Sequence, residues 1–227
     1  DYEIKEWNEG NFDVNMMSYT HDAYQARKYA FVSDVARFKV LYEKGGVYFD
    51  TDVEVIRPID PLVERGAFMG WEKPDALGNM HVAPGLGLAA PKGFPLYKEV
   101  LDSFAKLSYY LEDGQWNSYT MIPLVTDLLN QKGLQMDGTY QNVNVNDNAN
   151  LNANSGDCKK VEVPVDVNVI TIYPADYFCP MDSLTGKIVL TDNTYTIHHY
   201  SMSWLPKSLQ WRVRMMRRLR KLFQRQR

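Results

Sequence analysis

Val47-Tyr48-Phe49-Asp50-Thr51-Asp52-Val53-Glu54-Val55 is a short apolar run that ends in two carboxylates one residue apart. Strand side chains alternate with period two, so the spacing predicts Asp50 and Asp52 on the same side of a strand. Two hard oxygen ligands there suit Mn²⁺ or Mg²⁺, which commonly completes its shell with water and substrate phosphate oxygens. Acidic residues also gather at strand ends for solvation alone, so the neighbouring sequence has to decide.

The preceding segment, Phe31 to Gly46, predicts a largely apolar helix with Ser33 as N-cap, Val35, Ala36, Phe38, Val40 and Leu41 as its body, and Gly45-Gly46 as its stop. Asp34 and Arg37 fall three apart on one face, which fits either a local ion pair or a site. An exposed pair would contribute only about 0.3–0.5 kcal/mol. This helix, however, feeds directly into the Asp-x-Asp segment.

Taken together, Ser33-Asp34-x-x-Arg37 and Gly45-Gly46-x-Tyr48-x-Asp50-x-Asp52 resemble the sugar-binding core of the DXD-containing glycosyltransferases of family 32. That group is related to initiation mannosyltransferases and to bacterial capsular and lipopolysaccharide sugar transferases. A second block, Tyr195-Thr-Ile-His198-His199-Tyr-Ser-Met-Ser203-Trp204, resembles the closing His-x-x-x-x-Ser-Trp signature of the family. The resemblance implies a GT-A-like α/β fold with a mixed central sheet flanked by helices. The chain begins at Asp1 without the first apolar strand expected of the family, so the sequence reads as a fragment lacking that strand.

Carried over by position, the resemblance implies that Asp52 binds the metal directly and that Asp50 reaches it through water and contacts the ribose. Asp34 and Arg37 would meet donor-sugar hydroxyls, and Tyr48 the nucleoside. His198, or alternatively His199, would be the late metal ligand, while Ser203 and Trp204 close over the diphosphate. The implied activity is transfer, with retention of anomeric configuration, from a UDP- or GDP-sugar to a glycan or lipid-linked saccharide in surface polysaccharide synthesis. Two other readings compete. An apolar run into Asp-x-Asp also resembles the first motif of haloacid-dehalogenase-type phosphatases, although that strand normally opens its fold, whereas here a helix precedes it. A non-catalytic relative that only binds nucleotide or glycan would keep the same residues.

Composition sets outer bounds. The 227 residues, 45% hydrophobic and 13% aromatic, suit one domain that buries roughly 70% of its unfolded surface. Cys158 and Cys179 make no disulfide framework, and no Asn-x-Ser/Thr acceptor occurs, so a cytoplasmic setting is expected. No apolar run of about 18 residues is present. The net charge of −3 hides an asymmetry: residues 205–227 carry nine basic residues and no acid, leaving 16 basic against 28 acidic residues in 1–204.

The expected organisation is therefore a 1–204 domain and a 205–227 amphipathic helix, with Leu205, Leu209, Val213, Met216, Leu219, Leu222 and Phe223 on one face and Lys207, Arg214, Arg217, Arg218 and Lys221 on the other. Such a helix suits the surface of an anionic membrane, which would make the protein peripheral on the inner face of the plasma membrane. Docking on its own acidic body is the alternative; nucleic acid is disfavoured by the acidic remainder.

Strands are expected at Tyr2–Trp7, Ala67–Glu72, Leu86–Ala90, Val167–Tyr173, Lys187–Leu190 and Thr194–Tyr200. Further helices are expected over Tyr19–Tyr29, a short stretch to Arg65, Leu96–Tyr110 and the end of Gln115–Gln131, with Pro123 in its first turn. Gly85 and Gly87 fit turn geometry or close approach to a ligand. From Asn142 to Asn154 every second residue is asparagine, which reads as a surface loop within a 139–160 insert, or less simply as a ribbon of amides facing sugar hydroxyls.

Overall fold

The computed structural model describes residues 2–75, 77–117, 119–146, 168–183 and 185–201, together with 208–209, 211–212 and 215–216 of the C-terminal segment. The described residues form an α/β structure around a five-stranded mixed sheet of β1 (Gly46–Tyr48), β3 (Ala67–Gly70), β4 (Leu88–Ala90), β5 (Gln141–Asn144) and β6 (Val169–Tyr173). The strand order is β1-β4-β3-β6-β5, with β3 and β6 parallel and the other neighbours antiparallel. A separate two-stranded ribbon joins β2 (Val53–Val55) to β7 (Thr196–His198).

Strand alternation divides the core into two layers. Ala67, Met69, Leu88, Ala90, Ile170 and Ile172 face α1 (Ser18–Gln25), α2 (Tyr29–Lys44), α4 (Pro95–Phe104) and α5 (Met121–Gln131). Phe68, Ala89 and Tyr173 face the opposite layer, where α3 (Asp60–Val63) and α6 (Ala175–Phe178) supply Leu62 and Phe178. In the first layer Phe38 meets Tyr97 edge-on at 5.1 Å, locking α2 against α4, and Tyr97 donates its hydroxyl to Ala89 O at 3.0 Å. In the second, Phe68 stacks on Phe178 at 5.5 Å. Gly70 makes that packing feasible, because a Cβ there would lie 2.4 Å from the Phe178 ring.

Several expectations need correction. Tyr2–Trp7 has no strand: Ile4 is 96% exposed among charged neighbours, so there is no apolar face to bury. The second helix begins at Tyr29, a turn earlier than expected, because Arg27 turns the chain with a left-handed backbone (φ 57°). Ser33 is consequently inside α2, its Oγ donating to Ala30 O at 2.7 Å, and is not a cap. The long helix stops at Phe104, after which Tyr109 and Tyr110 enter an aromatic hairpin. Lys187–Leu190 contributes one bridge, Met181 to Ile188, and not a strand.

Strand β5 takes in Asn142 and Asn144, so the start of the asparagine repeat is a sheet edge and not a loop; Val143 between them and Val145 just after, both buried, supply the apolar face. Residues 147–167 of the repeat and its surroundings, Cys158 included, lie outside the described residues. Most of 205–227 does too; Ser208, Leu209, Trp211, Arg212, Met215 and Met216 are helical and exposed. Among the described residues no helix is long and apolar enough to cross a membrane.

Gly70→Ala should force the Phe178 ring out of its stack. Overpacking of this kind costs about 1–3 kcal/mol, which urea unfolding will register as a lowered midpoint at unchanged slope; an unaltered midpoint would contradict the packing described.

Candidate metal and donor site

The sharp reversal at Gly45 builds one half of the site. Gly45 has a left-handed backbone (φ 72°), and a Cβ on it would lie 2.8 Å from Lys92 N, so the chain passes from α2 into β1 with no linker. Arg37 stands eight residues before the reversal, a helical rise of about 12 Å. Tyr48 and Asp50 stand three and five residues after it, an extended path of about 10–16 Å. The two arms therefore meet at Arg37.

There the guanidinium, 3% exposed, is gripped on several sides. Nη2 lies 2.9 Å from Asp34 Oδ1 and 3.0 Å from Asp50 Oδ1, and Nε donates to Ser33 O at 3.2 Å. The Tyr48 ring covers the guanidinium at 4.9 Å, and its hydroxyl donates to Asp50 Oδ1 at 3.0 Å. Nη1 is buried and has no hydrogen-bond partner among the described residues. Burial pushes the Asp34 carboxyl up to about 6, with Arg37 opposing and Asp50 adding to the rise. Burial likewise holds the Tyr48 hydroxyl above the ordinary phenol range and keeps it a donor.

Asp50 and Asp52 are not on a strand. They occupy a turn between β1 and β2 that is closed by Val53 N donating to Asp50 O at 3.0 Å. Their convergence comes from the turn and from β7. In the β2–β7 register Val53 sits opposite His198. His198 Nε2 lies 3.2 Å from Asp52 Oδ1, and the Ser201 amide donates to Asp52 Oδ2 at 2.7 Å. Hydrogen bonding from His198, followed by that from Ser201, outweighs desolvation and holds Asp52 well below the usual carboxylate range. Strand alternation sends His199 the other way, to Glu54 Oε2 at 2.8 Å on the exposed face.

Asp50, Asp52 and His198 each offer a ligand atom within 4.8 Å of the others. Two carboxylates and an imidazole are a donor set that Mn²⁺ or Mg²⁺ accepts, more naturally Mn²⁺ given the nitrogen. Nδ1 of His198 is buried without a partner among the described residues, as Arg37 Nη1 is, so the cluster retains unmet polar valence. The residues present therefore fit a divalent ion.

Sequence reasoning missed several supports. Tyr200 adopts a left-handed backbone (φ 48°), unusual for a large side chain. Its hydroxyl donates to Glu72 Oε1 at 2.8 Å and lies 2.9 Å from Cys179 Sγ, while its ring packs edge-on against His198 at 4.2 Å. This anchor fixes the His198 ring and aims the next amide, Ser201 N–H, at Asp52. Gly85 accepts the Asp50 amide through its carbonyl at 3.2 Å, and a Cβ on it would lie 2.2 Å from Asp50 Oδ2 and 3.2 Å from Arg37 Nη1. Gly87 (φ 147°) clears the Phe49 ring in the same way. The close approach expected of Gly85 is thus to the site's own side chains, and that of Gly87 to the neighbouring Phe49 ring. Ser203 and Trp204 lie outside the described residues.

Comparison with known proteins agrees with this chemistry. Residues 1–69 match the family model described as a glycosyltransferase sugar-binding region containing DXD motif. Inositol phosphoceramide mannosyltransferase 3 of Schizosaccharomyces pombe is 31% identical over 77 residues, covering 34% of this chain and 20% of the relative. The chain thus spans about a fifth of the length of that curated relative. No solved structure matches. The family-32-like resemblance and the mixed α/β architecture stand on these findings together.

Gly85→Ala should displace the Asp50 carboxylate and disorder its contact with Arg37. Calorimetric titration with Mn²⁺ should show affinity reduced by about tenfold or more, the scale expected when support of a ligand is lost; wild-type affinity would show that Gly85 is not needed to seat Asp50.

Proposed function

We propose that this chain carries the donor site of a metal-dependent glycosyltransferase that moves a sugar from a nucleotide sugar to a glycan or lipid-linked saccharide, with retention of anomeric configuration. The observation that carries the reading is the meeting of Asp50, Asp52 and His198 beside a buried Arg37 whose Nη1 is uncommitted among the described residues. Asp50, Asp52 and His198 would hold Mn²⁺ or Mg²⁺. When bound, the ion supplies charge neutralisation and Lewis-acid stabilisation of a nucleoside diphosphate leaving group.

The chain's own residues bind and orient. Arg37 Nη1 donates to an oxygen of the donor, while Asp34, paired with Arg37, accepts from a sugar hydroxyl. Asp50, held by Arg37 and Tyr48 through one oxygen, leaves Oδ2 beside Gly85 without a side chain in the way. Tyr48 shields the guanidinium from water and so strengthens its electrostatics. Fixing the donor in this way removes several kcal/mol from the barrier by positioning, on the order of 7 or more at the upper end.

The phosphatase reading is less suited, because α1 and α2 precede the Asp-x-Asp turn whereas that motif opens its fold. The relative named as a mannosyltransferase puts GDP-mannose first in a donor screen, followed by UDP-sugars. The basic segment 205–227 would hold the enzyme on an anionic membrane from the cytoplasmic side, near a lipid-linked acceptor; the exposed Leu209 and Met216, on its apolar face, supply apolar contacts for that surface.

Asp52→Asn should abolish Mn²⁺-dependent release of nucleoside diphosphate from the preferred donor and weaken nucleotide binding, because one anionic ligand is lost. Near-normal turnover would discard the site, and saturable binding without any turnover in the parent protein would favour a binding relative. Deleting Trp211 to Arg227 should end flotation with phosphatidylserine liposomes and spare donor hydrolysis; undiminished flotation would refute the membrane role.

A further inference from the structure

The hairpin from Tyr109 to Asn117 carries aromatic surface that the donor site does not use. Leu111 N donates to Gln115 O and Asn117 N to Tyr109 O, both at 2.7 Å, and Tyr110 pairs with Trp116 across the hairpin. Directly opposed residues project to the same face with Cβ atoms about 5 Å apart. Tyr110 is 45% exposed and Trp116 49%. Scattered surface aromatics are ordinary, but these two are propped from beneath. Tyr109 meets Tyr110 edge-on at 4.8 Å, Phe31 meets Trp116 at 5.6 Å, and Phe31 and Tyr109 meet each other at 5.6 Å. The two open rings are thereby pre-set as one platform.

The platform is continuous with the donor site. Phe31 and Asp34 are three apart on α2 and share a face, a rise of about 5 Å. Tyr19 packs on Tyr109 at 5.8 Å, and its buried hydroxyl has no partner among the described residues. Asp34 is near enough to add to the upward shift of that hydroxyl, which burial dominates.

Charge selects the occupant. Residues 107–131 contain no lysine or arginine, and Glu112 and Asp113 stand at the hairpin tip. Phosphate, nucleic acid and anionic bilayers are disfavoured there. A neutral saccharide fits both features: its C–H face lies on the electron-rich ring faces, and its hydroxyls donate to the carboxylates.

We propose that the Tyr110–Trp116 face binds the acceptor as a neutral pyranoside stacked on these two rings, which rests on the glycosyltransferase reading above. Saturation-transfer difference NMR of the full chain with methyl α-D-mannopyranoside and methyl α-D-glucopyranoside tests it. Signal is expected on the pyranoside ring hydrogens, weakened about tenfold in Trp116→Ala and in Tyr110→Ala and largely kept in Trp116→Phe. Mn²⁺-dependent nucleotide binding should not change, and the unfolding midpoint of the alanine variants should fall only modestly, as the contacts of Trp116 with Phe31 and of Tyr110 with Tyr109 are lost. No pyranoside signal with the parent protein, or equal signal from both alanine variants and the parent, overturns the proposal. So does a Trp116→Phe variant as weak as Trp116→Ala, which would mark a purely structural role. Trp116-dependent binding of phosphatidylserine vesicles without pyranoside signal overturns it in favour of a lipid surface. Pyranoside binding with no nucleotide binding sinks the glycosyltransferase reading instead, whereas nucleotide binding without pyranoside binding sinks only this inference.

Discussion

Arg37 is almost fully buried, and an unpaired guanidinium in such a place is so unfavourable that the surrounding chain must supply anions to it. Asp34 comes from the same helix and Asp50 from beyond the reversal at Gly45, so the ion pair ties α2 to the end of β1. Removing one partner of a buried pair typically costs about 3–5 kcal/mol, because the other charge is left behind. The arrangement at Asp50 follows from this: Tyr48, Gly85 and Phe49 over Gly87 are all disposed around a carboxylate held by Arg37. The same constraint leaves Nη1 of Arg37, with its two N–H groups, without a protein acceptor among the described residues. The edge of the side chain that holds the fold together is thus distinct from the edge that the proposed donor would use.

Much of this is legible in the sequence because it is local. The helix stop at Gly45-Gly46, the Asp-x-Asp segment and the i,i+3 spacing of Asp34 and Arg37 depend on neighbours a few residues away. The convergence of the two aspartates is legible too, but not its cause. They meet through a turn and a partner strand, and strand alternation acts only afterwards, where it selects His198 over His199. Glu72, Cys179 and Tyr200 carry no comparable signal, and Gly85 carries one only as a glycine open to several uses. Their roles arise from tertiary neighbours far along the chain, as when Tyr200 meets Glu72 across 128 residues. Tyr2–Trp7 fails for the opposite reason, since a locally strand-like pattern has no apolar face to bury and leaves Ile4 in solvent.

Asparagine at positions 142 and 144 illustrates how context overrides propensity. Asn is a poor strand former, yet the alternation leaves Val143 and Val145 on the buried side, and β6 supplies a ready edge. Asn142 is even put to use, its side-chain oxygen accepting from Thr171 Oγ1 at 2.9 Å.

The β2–β7 ribbon has a consequence for dynamics. It is only three residue pairs long, and two short strands are marginal on their own. It nonetheless delivers both the imidazole of His198 and the amide of Ser201 to Asp52. Fraying of the ribbon withdraws both groups together, so the affinity of the proposed ion site would be scaled by the fraction of time the ribbon is zipped. On the proposed function, an ion or donor bridging the two strands would protect their amides from solvent exchange, and its departure would let them loosen. Occupancy of the site and the breathing of this small ribbon would in that sense be one equilibrium.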